Sequence, residues 1–314
     1  MRLHEINQPI DEAINFTRYL NDAENAMKNG ILTACSALTQ VKITPEMQAD
    51  IDETRKLGSV RQVLNLPELI KQHCTDELKQ LTEVIIPQPP VDVVFEPLGT
   101  VNGECADLDV RLNIKYINGI ANQLWIKWVN ELVKNNTSTP FNYAKAAKKS
   151  IEEFKNQLFE GPIGGIVDNC ASTFIHEMVH AQQHATQYGK GRTDLEYRSY
   201  LASKDKFNKV IDDPESAGID DTEAYKLYRA SPQEMAAFAN QDALKFIKDN
   251  KLNVQGATAD AATMAKLQNY LGNYFKDRAN PKEYKLLKRY GSLVYKAVAD
   301  YLNRNATQAK QNTQ

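Results

Sequence analysis

Between Asp168 and Tyr188 the chain carries an apolar helical run whose polar side chains need partners. In FIHEMVHAQQH, His176 and His180 stand four residues apart, so they project from one helix face on successive turns. Phe174, Ile175, Met178 and Val179 flank them and call for burial. Two imidazoles among such side chains would be poorly solvated without a partner, so a helix with merely surface histidines is a poor fit. Whatever fold the chain adopts must bring another group to this helix face.

Two imidazoles so placed can share one zinc ion. Glu177 sits one position round the helix, where its carboxylate can reach a water acidified by the metal without being a ligand, as a general base must. Beyond this spacing, FIHEMVHAQQH resembles the active-site helix of the zincin metallopeptidases, in the gluzincin branch, where a third zinc ligand is a Glu on a later helix. The matching segment is YRASPQEMAAFAN. The resemblance implies Glu234 as that ligand, on a Pro-started helix whose Ala236, Ala237 and Ala239 let it approach closely. It also implies hydrolysis of peptide bonds.

Rivals for the third position differ in their fit. His184 lies eight residues beyond His176, about 12 Å along the axis, too far to share the ion, and reads as an outer or surface residue. The metzincin pattern needs a Gly where Gln183 stands and a later His, and both are missing. Asp194 in GRTDLEY resembles the ligand segment of the aspzincins, although Arg192 departs from that pattern, so Asp194 stays open beside Glu234. Tyr225, Tyr228 and Arg229 are candidates for stabilising an oxyanion, with Tyr228 taken as the catalytic one. Asp194 or Glu196, if not ligands, could orient a zinc-bound imidazole.

Elsewhere the pattern organises the chain into three regions. Residues 1–86 read as helical, with Ile10, Ile14, Ala23, Met27 and Ile31 at spacings near three and four. Pro87, Pro89 and Pro90 break that pattern and favour an extended connector. VDVVFEPL and LDVRLNIKYI read as strands, the second with Val110, Leu112, Ile114 and Tyr116 on one face, and Asn118-Gly119 signals a hairpin. ANQLWIKWVNELV leans towards a strand. A helix is expected over Phe141 to Phe159, ended by Gly161, Pro162, Gly164 and Gly165, with the histidine helix starting near Asp168 or Asn169. Further helices are expected around Thr222 to Tyr228, Pro232 to Asp249, Thr258 to Phe275 and Pro281 to Asn303. In the last, Leu287, Tyr290, Val294, Val298 and Tyr301 form a seam, and NATQAKQNTQ reads as a loose tail. The expected fold is therefore α+β and mostly helical: a helical region 1–86, a zincin-like catalytic domain 91–250 with a small sheet, and a helical region 251–314.

Composition excludes some functions. With 38 basic and 40 acidic side chains the formal charge is only −2, and the densest basic cluster, Lys145, Lys148 and Lys149, reads as a solvated helix face, so no nucleic acid is expected. MRLHEINQPIDEAINF lacks a secretory pattern and no stretch approaches a membrane span, which suggests the cytoplasm or a larger particle rather than a membrane. Cys35, Cys74, Cys105 and Cys170 have no metal-ligand spacing and read as reduced and mostly buried. The expected cofactor is Zn2+ and the expected partner a protein or peptide substrate, with an oligomer or larger assembly left open. A different class of protein also fits: an assembly component that keeps the zinc domain as a scaffold with little proteolysis. The intact Glu177 argues against it, because a structural site needs no base. In a third reading, the peptidase acts on one dedicated partner and residues 1–86 serve as inhibitor or docking module.

Overall fold

The computed structural model describes residues 19–38, 45, 65–106, 108–124, 158–189, 232–252, 259–276 and 281–311. Within them lie helices α1 (Leu20–Leu38), α2 (Leu66–Ile85), α3 (Lys115–Leu124), α4 (Pro162–Gly189), α5 (Pro232–Asp249), α6 (Ala261–Lys276) and α7 (Pro281–Gln311), and strands β1 (Asp92–Glu96), β2 (Gly103–Ala106) and β3 (Asp109–Asn113). The fold is α+β and mostly helical. The chain divides into two compact units, Asn21–Phe174 and Met1–Leu20 with Ile175–Gln314.

In the unit Asn21–Phe174, α1 meets α2 at a glycine. A Cβ on Gly30 would lie 2.7 Å from both the Cα and the N of Cys74, so only hydrogen lets the two backbones come this close. Met27, nearly one turn earlier, borders the same contact: Cys74 Sγ approaches its carbonyl oxygen at 3.7 Å and Cys170 Sγ its sulfur at 3.9 Å. All four cysteines are free, three of them buried and Cys105 partly exposed. Burial pushes the Cys35 thiol up to about 12 and also raises Cys74 and Cys170, which keeps all three protonated and unreactive. On α2, Leu66, Ile70, Cys74, Leu78 and Thr82 recur every four residues and are buried, the stripe an amphipathic helix needs.

The sheet has the order β1-β3-β2, with β1 parallel and β2 antiparallel to β3. Alternation fixes its faces: Val93, Phe95, Val110 and Leu112 are buried, while Arg111 between them reaches Glu96 at 3.5 Å and Glu104 at 3.1 Å. Lys79 of α2 pairs with Asp92 of β1 at 2.6 Å. Both strand expectations therefore hold over Asp92–Glu96 and Asp109–Asn113, but β3 stops before Ile114.

The hairpin expected at Asn118-Gly119 is overturned, because both residues lie inside α3. Asn113 makes the switch: its Nδ2 donates to the carbonyls of Gly99 (3.3 Å) and Val101 (2.6 Å), and its Oδ1 accepts the Lys115 N–H at 3.0 Å. That side-chain acceptor starts a helix, and burial of Tyr116, Ile117, Ile120, Ala121 and Leu124 at helical spacing sustains it. Tertiary burial thus outweighs the local turn preference. Of the strand expected over Ala121 to Val133, Ala121 to Leu124 instead end α3, and the remainder lies outside the described residues. Tyr116 then anchors α3 to α4. Its hydroxyl lies 2.9 Å from that of Thr173, whose own proton goes to the Asn169 carbonyl, so Tyr116 is the donor.

α4 starts at Pro162, earlier than the expected Asp168 or Asn169. Gly161, with φ 82, ends the preceding turn, and Pro162 suits a first helical position. Gly164 lies in its first turn, where a Cβ would lie 2.1 Å from the Phe159 carbonyl oxygen, so the close approach requires glycine. Of the helix expected over Phe141 to Phe159, only Leu158 and Phe159 are described, in a turn. The helix expected around Thr222 to Tyr228 and the Lys145 cluster lie outside the described residues.

In the other unit, α5, α6 and α7 share a core that includes Met235, Phe246, Leu267, Val294, Val298 and Tyr301. The expected seam on α7 is buried at Tyr290, Val294, Val298 and Tyr301. The loose tail is a correction: α7 continues through Gln311, where Ala306, Gln308, Ala309 and Lys310 are good helix formers. No helix among the described residues is long and apolar enough to cross a membrane.

Gly30→Ala is expected to destabilise the protein by about 1–2 kcal/mol, overpacking at the Cys74 backbone outweighing alanine's better helix propensity. A urea midpoint unchanged from wild type would refute the α1–α2 contact.

Candidate metal centre

Helix α4 presents His176 and His180 on successive turns, and α5 opens on Pro232, which puts Glu234 in its first turn. There the unsatisfied N–H groups and the helix dipole favour a carboxylate. The three side chains converge. The Nε2 atoms of His176 and His180 are 3.3 Å apart, and Glu234 Oε2 is 3.5 Å from the first and 3.3 Å from the second. Among the described residues this is the group of His, Cys, Asp or Glu side chains close enough to hold a metal ion.

Three electron-rich atoms at these separations repel one another unless a cation, proton or metal, lies among them. Tetrahedral zinc with bonds of about 2.0–2.1 Å spans about 3.3–3.4 Å between neighbouring ligands. The observed triangle has that size. Two imidazoles and one carboxylate are also zinc donors, and three protein ligands leave a fourth position for water or substrate. The residues present therefore fit a zinc ion.

Without a metal, a proton serves the same purpose. Burial acts to lower His180, but the Glu234 charge and hydrogen bond outweigh it, helped by Glu177 and Gln183, and push His180 up to about 9. Burial acts to raise Glu234, but the charge on His180 and hydrogen bonds from both histidines hold its carboxyl well below the usual range. The side chains of all three are only 12–13% exposed, so water screens the group weakly.

Each imidazole is held by a neighbour that spacing alone did not single out. Gln183 Oε1 lies 3.2 Å from His180 Nδ1. An amide oxygen can only accept, so Nδ1 carries a proton in either state of the ring, and when the ring is neutral it is the Nε2 lone pair that faces Glu234 and His176. The Phe238 ring meets the His176 ring edge-on, with centroids 4.9 Å apart and planes at 74°. Both residues follow helical spacing, Gln183 three after His180 and Phe238 four after Glu234, which was the available signal.

Glu177 is 6% exposed and stands outside the converging group, about 100° round α4 from His176. His184 is buried rather than at the surface, and it too stands outside the group. Asp194, Glu196, Tyr225, Tyr228 and Arg229 lie outside the described residues. No family model, curated protein or solved structure matches this chain. What the site can do is therefore read from its own side chains.

For protein stripped of metal by a chelator, the pair gives a signed pH dependence. His180 is raised from 6.5 to about 9, so its contribution is complete below about 6.5 and lost as pH rises through about 9. Glu234 is lowered from 4.5, so its contribution is present above about 4.5 and lost as pH falls. The melting-temperature advantage of wild type over Glu234→Gln should peak between about pH 4.5 and 6.5 and shrink towards pH 9. An advantage that grows with pH would refute the pairing.

Proposed function

We propose that the chain is a zinc-dependent peptidase that hydrolyses peptide bonds, with His176, His180 and Glu234 holding the metal and Glu177 as general base. One observation carries the reading: two imidazole nitrogens and a carboxylate oxygen from two helices meet at 3.3–3.5 Å, with a buried carboxylate on the residue next to His176. A zinc ion bound there supplies Lewis-acid polarisation of a carbonyl and acidifies water.

The chain's own residues do the rest. Gln183 fixes the tautomer of His180, so its Nε2 stays available as a donor. Glu234 brings one negative charge to the site, which leaves it net positive with a divalent ion and suited to a developing oxyanion. Glu177 can take a proton from the attacking water and return it to the leaving amine. Its burial limits competing solvation of that carboxylate. Tyr228 remains the proposed partner for the oxyanion, on its place in the sequence alone.

Purified protein should hold about one zinc per chain. His176→Ala, His180→Ala and Glu234→Ala should each lose it, and Asp194→Ala should not. Loss of zinc from Asp194→Ala with retention by Glu234→Ala would overturn the ligand set.

Glu177→Gln keeps side-chain size and removes basicity. It should leave zinc content and melting temperature nearly unchanged and lower chelator-sensitive cleavage of a peptide library by at least about a hundredfold. Equal cleavage by both proteins would remove Glu177 from the chemistry. A zinc-loaded wild type that cleaves nothing would replace the peptidase by a zinc-held scaffold.

A further inference from the structure

The plane of a metal-binding imidazole is ordinarily fixed by a hydrogen bond from its second nitrogen. His180 follows that rule through Gln183. His176 is held differently: its Nδ1 is buried with no hydrogen-bond partner among the described residues, and its ring is met edge-on by the other ligand ring, His180, at 5.1 Å and from α5 by Phe238 at 4.9 Å. Phe238 lies four residues after Glu234, so one face of α5 carries both the carboxylate and the aromatic ring. An edge-to-face contact is directional, because the positive ring edge seeks the negative face.

Phe238 is itself held from behind. The Tyr290 hydroxyl on α7 lies 3.2 Å from the Phe238 carbonyl oxygen and also contacts the Asp242 carboxylate, a further turn along α5. Tyr290 is buried in the core shared by α5 and α7. A continuous line of contacts thus runs from α7 through the Phe238 backbone and ring to the His176 imidazole.

We propose that Phe238 is the positioning residue for His176, setting the ring plane that aims Nε2 at His180 and Glu234. This rests on the zinc reading given above. The role differs in kind from that of an acceptor on Nδ1. A carboxylate or carbonyl there would raise the basicity of the ligand, whereas an aromatic ring sets orientation without adding an acceptor. The His176 side of the site is fixed by shape and the His180 side by a proton.

The test compares wild type, Phe238→Leu, Phe238→Tyr and Phe246→Leu, the last removing a buried ring from the same helix about two turns beyond Phe238. Zinc affinity is measured by competition with a chromophoric chelator, and cobalt(II) in place of zinc reports ligand geometry through its visible bands. Phe238→Leu should weaken zinc by about three- to tenfold, the range such a ring contact is worth, and alter the cobalt bands. Phe238→Tyr keeps a ring and should retain both near wild type. Phe246→Leu should lower the melting temperature yet change neither readout. If Phe238→Leu does not fold, Phe238→Met is read in the same way. Wild-type affinity and bands in the Phe238 variant would overturn the proposal, as would an equal loss in Phe246→Leu. A wild type that binds neither metal would fail at the zinc reading itself, which the wild-type control reports separately.

Discussion

Bringing three electron-rich atoms within 3.5 Å of one another is unfavourable until a cation enters, and the meeting of α4 with α5 answers to that constraint. The donors come from two helices, so α5 must lie close to α4. Ala236, Ala237 and Ala239, all buried, give α5 little side-chain bulk next to Glu234. The first-turn position of Glu234 then supplies an electrostatic benefit from the helix end. Further out, the α5–α7 core holds the helix that bears the third donor. Charge, small side chains and core burial therefore all act on a single distance.

The candidate metal group was legible in the sequence because every part of it obeys a local rule. His176 and His180 share a face by helical repeat, and Pro232 marks the start of the helix that carries Glu234. Bringing Glu234 across to the histidines is not local. Spacing could nominate it only beside Asp194, and its convergence with the imidazoles emerges when α5 meets α4. Phe238 was harder still, since a partly buried aromatic four residues from a carboxylate is usually core and nothing in its spacing says which ring it touches.

The fold was legible where burial and local preference agree, as on β1, α2 and α5. It was misread where they conflict. Asn118-Gly119 is a strong turn signal, but Ile117, Ile120 and Leu124 need the same interior, and Asn113 offers a helix start five residues upstream. Gly164 and Gly165 read as a break, yet a glycine in a first helical turn can also mark a neighbouring carbonyl, here that of Phe159. The polar end of α7 shows the converse error. Hydrophilic residues were read as loose chain, although Ala, Gln and Lys are helix formers whatever they face.

The size of the donor triangle also bears on which ion the site would select inside a cell. An octahedral or square-planar ion with bonds of about 2.0–2.1 Å needs neighbouring ligands only about 2.9 Å apart, at right angles. The donor atoms, which stand 3.3–3.5 Å apart, would have to draw together by roughly half an ångström to offer that. Copper(II) binds most nitrogen and oxygen donor sets more tightly than zinc does. Here it would meet donors spread closer to tetrahedral angles, so any preference of the site against the stronger-binding metal would have to come from donor spacing rather than from donor type.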